Sequence, residues 1–205
     1  MIPTAPLRVR NHLAEIILTA LQKPEARREL SVLGEADAPP PDWLSPDLDC
    51  RPLVRQRALC AAAALAELPA ARLDSRADAL DAAAALFDAH LYFEVHELLE
   101  PFWRDAGGGE REALQGLIQI AVGYQHLANG NLAGARALLD EGCRRLEGRS
   151  LEGMDLDTFG REVGRTADRM LQLDWRTVPP FPRSQPGQRA GRAADRDVNL
   201  RKELS

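Results

Sequence analysis

The chain of 205 residues is poor in cysteine, aromatic residues and long apolar runs. Its three cysteines, Cys50, Cys60 and Cys143, have no C-x-x-C spacing. They make neither a disulfide framework nor a thiolate metal cage, and point to reduced thiols in a cytoplasmic setting. No apolar stretch approaches membrane-spanning length, and the N-terminal residues show no basic segment followed by a clean apolar run. Neither a membrane span nor a secretory leader is expected. No basic run breaks a formal net charge of −5, so nucleic acid is not an expected partner. β-branched residues are scarce, which argues against a large sheet. A G-x-S-x-G elbow, a phosphate-cradling loop and a dinucleotide fingerprint are all missing.

What is present is helical. Alanine is abundant and 45% of the chain is apolar, enough for a real core. Apolar residues recur at helical spacing over 7–22, with Leu13, Ile16, Ile17 and Leu21 on one face. A short helix is expected at 25–33. Ala38-Pro39-Pro40-Pro41 cannot be helical, so 1–38 reads as an N-terminal helical appendage and 39–52 as a Pro-rich connector. Helices follow at 53–68, from Asp74 or Ser75 to 88, at 92–105, 110–128 and 132–147, and from an Asp155 cap to about 173. Residues 53–178 thus form a compact all-α bundle of helical hairpins. Residues 179–205, charged and short of apolar anchors, read as a disordered tail.

Two helices carry polar residues where a core is expected. On the helix at 92–105, His96, Glu100 and Trp103 fall within roughly 60° of one another, among large apolar side chains. Glu97 lies to one side and Glu94 further out, toward water. The helix at 110–128 is apolar nearly all round, yet Glu112, Gln115, Gln119 and His126 share one stripe. Gly116 and Gly123 border that stripe and admit a close backbone or a ligand. An unpaired buried polar group costs about 1–3 kcal/mol, so the two stripes are expected to face each other. His96, Glu100 and His126 are then candidate ligands for a divalent metal, with Gln119 orienting and Glu97 as general base. Gln115, Trp103 and Tyr124 are candidate contacts for a bound molecule, although Trp103 and Tyr124 read first as core. The other reading is a closed hydrogen-bond network that fixes helix register.

Residues 127–136 resemble a tetratricopeptide hairpin, and Leu98-Leu99 recurs as Leu138-Leu139, but two imperfect copies do not make a solenoid. The stretch Tyr92-Phe93-Glu94-Val95-His96-Glu97-Leu98-Leu99-Glu100 with Trp103-Arg104 is more specific. So is Gln115-Gly116-Leu117-Ile118-Gln119-Ile120-Ala121-Val122-Gly123-Tyr124-Gln125-His126, followed by Gly130-Asn131. Together they resemble the signature of a family of small bacterial and archaeal helical proteins known as domain of unknown function 309. The family is sometimes labelled predicted metal-dependent hydrolase. The resemblance covers about 80–147. It implies an all-α bundle and places the family's polar positions on His96, Glu97, Glu100, Gln119 and His126. This chain has His90 where a glycine is usual, and Pro101 inside the helix, expected to bend it. A metal-dependent hydrolase and a non-enzymatic helical module, binding a protein partner, a small molecule or a second copy of itself, both stay open.

Overall fold

A computed structural model describes residues 5–70, 73–172 and 174–184. Among them are eight α-helices: α1 (Leu7–Ala20), α2 (Pro24–Gly34), α3 (Arg51–Ala66), α4 (Arg76–Asp88), α5 (Tyr92–Asp105), α6 (Gly108–Ala128), α7 (Leu132–Leu146) and α8 (Leu156–Ala167). Three are capped as their sequences dictate. The Ser75 side chain accepts from the Asp78 N–H, Asn131 from Gly134 and Asp155 from Thr158. A two-stranded hairpin, β1 (Ser150–Leu151) and β2 (Met154–Asp155), joins α7 to α8. Its turn puts Glu152 at φ 50° and Gly153 at φ 74°.

The helices stack as antiparallel hairpins. α6 packs most extensively on α7 and next on α5, and α8 covers α7. One apolar core runs from Val9 of α1 to Phe181, past the last helix. At its centre Phe87 lies edge-on to both Tyr92 and Tyr124, at 5.1 and 5.7 Å between ring centroids. Burial raises both tyrosine pKa values above the ordinary phenol range.

The N-terminal segment is a wall of this bundle, not something hung on it. Val9, Leu13, Ile16 and Ile17 of α1 are buried in the same core. Arg27 of α2 pins the arrangement. Its guanidinium donates to the Ala20 carbonyl at 2.8 Å and to the Leu65 and Leu68 carbonyls at 3.1 and 2.7 Å. These carbonyls lie at the end of α1 and at and just past the end of α3, where backbone acceptors are left for side chains. The Pro-rich connector winds into 3-10 turns over Asp42–Cys50, with Leu44 buried. Of the tail, Phe181 is 2% exposed and its N–H donates to Asp88 at 2.8 Å, so the segment to Ser184 is anchored. The rest of the expected tail, 185–205, lies outside the described residues.

Gly116 and Gly123 are explained by α7. A Cβ on Gly116 would lie 2.6 Å from Leu146 Cδ2, and one on Gly123 2.8 Å from Leu139 Cδ2. Gly142 of α7 faces Gly116 in turn: a Cβ there would lie 3.0 Å from the Gly116 carbonyl oxygen. The space these glycines open is filled by a neighbouring helix and leaves no room there for a ligand.

Candidate metal centre

α5 places the central residues. It runs from Tyr92 to Asp105 as one helix, straight through Pro101. The proline removes the N–H that would bond the Glu97 carbonyl, four residues back. The ladder is weakened beside the cluster without ending the helix. One-turn spacing puts Glu100 beneath His96, and Glu97 follows His96 around the helix.

The resulting geometry is compact. His96 Nδ1 lies 3.0 Å from Glu97 Oε1, and His96 Nε2 lies 4.0 Å from Glu100 Oε2. Taking one ligand atom from each, His96, Glu97 and Glu100 fall within 4.8 Å of one another. Among the described residues no other group of three or more His, Cys, Asp or Glu side chains meets that limit. The three side chains keep 29–37% of their surface exposed, so water can reach the cluster. Glu100 is not free: Arg104, one turn further on, donates to its Oε1 at 2.7 Å.

The other sequence-derived residues go elsewhere. His126 stands outside the cluster, at the far end of α6, where its Nδ1 meets Asn131 Nδ2 at 2.7 Å. It braces the turn into α7 and packs against Gly134. The cause is the antiparallel α5–α6 hairpin, which sets the first turn of α5 against the last of α6, so His126 and His96 sit at different heights. Glu112 is drawn to Arg145 of α7. Gln119 is half-buried and its Oε1 has no hydrogen-bond partner; Gln115, four residues earlier on α6, is half-buried too. Tyr124 is fully buried and stacked on Tyr92 at 5.4 Å. Trp103 is half-buried, with the Arg111 guanidinium 4.1 Å over its ring. Burial closes Tyr124 to a ligand, and Arg111 already covers one face of Trp103. The Cys143 thiol is pushed up to about 11 by burial, then by Asp140, which keeps it an inert packing group.

Three features were missed by the sequence reading. Glu94, expected to be wet, is 1% exposed, and Arg57 of α3 donates to both its oxygens at 2.9 and 2.7 Å. The long-range packing of α3 that covers it has no local sequence signal. Arg104 was legible, since Glu100-to-Arg104 is an i,i+4 pair of favourable order. The third is an open groove of 360 Å³ between α1 and α5, with Glu97 on its wall. His90 does adopt a left-handed φ of 59°, as expected of a residue standing in a glycine's place, and its ring stacks on Tyr92 at 5.7 Å.

No helix among the described residues is long and apolar enough to cross a membrane. Over 69 residues the chain is 39% identical to an uncharacterized protein, YpuF, of Bacillus subtilis (strain 168). The match covers 32% of this chain and spans only 40% of that relative's length. No solved structure matches the chain significantly. Residues 80–138, which run from α4 into α7 and hold all of His96, Glu97 and Glu100, match the model of the family described as Domain of unknown function (DUF309).

Proposed function

We propose that the chain binds a divalent metal ion through His96, Glu97 and Glu100. The observation that carries this reading is the convergence of one imidazole nitrogen and two carboxylate oxygens within 4.8 Å, on one helix and open to water. The donor set fits a first-row divalent ion that accepts mixed nitrogen and oxygen ligands. Three protein ligands leave positions for water or substrate. Glu97 thereby moves from the role of general base to that of ligand, and His126 to bracing the α6–α7 turn. A bound ion would supply Lewis acidity and a lowered water pKa, the chemistry of a metal-dependent hydrolase. In that reading His96, Glu97 and Glu100 would hold the ion within reach of water and beside the α1 groove that Glu97 also lines.

The test is metal titration by calorimetry on chelator-treated protein, with Mn²⁺ and Zn²⁺ as probes. His96→Ala and Glu100→Gln should lose binding while His126→Ala keeps it. Equal binding in all four proteins, or none in the parent, would sink the proposal. A second reading draws on the way polar groups on these helices find local partners: His96 with Glu97, Glu100 with Arg104, His126 with Asn131, Gln125 with Asn129. On that reading the residues stiffen a non-enzymatic helical module. His96→Ala then lowers the melting temperature of metal-free protein and changes no binding.

A further inference from the structure

We propose that the groove between α1 and α5 binds an extended aliphatic amine cation. The proposal stands on the groove and shares only Glu97 with the metal reading. The groove floor is apolar, built from Ala14 and Leu18 of α1 and Phe93 of α5. Its polar walls carry the carboxylates of Glu15 and Glu97 and the neutral oxygens of Asn11, Thr19 and Gln22. No Lys, Arg or His lines it. Arg10 stands at the lip, its guanidinium donating to Asn11 Oδ1 and lying over the Phe93 ring, so the two carboxylates outnumber the one guanidinium and anions are disfavoured.

Shape narrows the class further. From Asn11 to Thr19 the lining follows about two turns of α1, about 12 Å at 1.5 Å per residue, and Gln22 continues it past the helix end. Its volume of 360 Å³ falls in the usual range of roughly 300–1,000 Å³ for small-molecule sites. Apolar side chains beside spaced oxygen acceptors suit methylene chains between ammonium groups. Phe93 supplies an internal precedent. The Arg10 guanidinium already lies over its ring, 4.0 Å from the centroid. A cation with an aliphatic stem is therefore accommodated at the lip of the groove, by the attraction of a ring face for positive charge.

The experiment uses the full chain, treated with chelator, titrated with spermidine at low ionic strength. Saturable one-site binding is expected. Glu15 is exposed on α1, so its variants should fold, which circular dichroism checks. Glu15→Gln should weaken binding about two- to fivefold, as befits one solvent-exposed ion pair. Glu15→Lys should weaken it further. Glu67→Lys, in the acidic groove formed with Asp81 and Asp88, serves as a control and should have little effect. Absence of saturable binding, or equal loss in Glu67→Lys and Glu15→Lys, would overturn the proposal, the latter by showing diffuse attraction to an acidic protein.

Discussion

Gly142→Ala and Gly164→Ala are the same chemical change in neighbouring helices, and the structure gives them opposite signs. A Cβ on Gly142 would sit 2.8 Å from Ile120 Cγ1, 3.0 Å from the Gly116 carbonyl oxygen and 3.2 Å from the Ile120 nitrogen. Two of those atoms are backbone of a buried helix and cannot turn away. Overpacking of this kind costs about 1–3 kcal/mol, and fixed backbone neighbours put it toward the upper end. Against it stands the gain of alanine over glycine in a helix, about 1 kcal/mol. The net is a loss of about 1–2 kcal/mol. At Gly164 nothing lies within 4 Å of the added atom. Only the propensity gain remains, about 0.5–1 kcal/mol so near the helix end. For a chain of this size each kcal/mol moves the melting temperature by about 2–4 °C. Gly142→Ala should therefore melt about 2–8 °C below the parent, and Gly164→Ala about 1–4 °C above it, by differential scanning calorimetry. A Gly142→Ala protein at or above the parent would refute the close α6–α7 approach, and with it the account of Gly116.

Arg57→Ala strands the buried Glu94 carboxylate and should cost about 3–5 kcal/mol in denaturant titration; Arg57→Met with Glu94→Leu should recover most of that, and no recovery would count against an ion-pair account. Arg104→Ala removes a cation that holds Glu100, so divalent-metal affinity should rise several-fold; a fall would mean that Arg104 helps to build the site. The pKa of His90 is lowered by burial, with Asp88 pulling the other way, so the folded state prefers the neutral ring. Its contribution is whole above the unfolded value of about 6.5 and is lost as pH falls through the lower folded one. Urea midpoints at pH 7 and pH 5 should accordingly differ less for His90→Gly than for the parent, and an equal fall in both would refute the assignment.

The helices were legible because periodicity, caps and breakers agreed locally. α5 begins and ends where its pattern says, and Ser75 and Asp155 cap where side-chain chemistry allows. What failed were inferences about which face meets which neighbour. The triple proline after Ala38 marks a real break, yet a break in the helix is not a break in the core. Arg27 bridges it through three carbonyls that no sequence pattern points to. Glu94 was assigned to water from the wheel of α5 alone, while α3 supplies both the cover and the counter-ion.

The site divides along the same line. His96 and Glu100 lie one turn apart on one helix, so their meeting is fixed by helix geometry and could be read directly. Bringing in His126 required a second helix in the right register. The antiparallel hairpin instead spends His126 on Asn131, five residues away. Local rules therefore found the half of the cluster that one helix can make by itself. The groove beside Glu97 is formed largely by α1, whose sequence shows only an amphipathic face. Glu15 and Gln22 acquire meaning only once α1 is laid beside Phe93 and Glu97. A substrate preference, if α1 sets one, is thus written in the segment outside the matched residues 80–138, and chains that share the α5 cluster but differ in α1 should differ in what they bind.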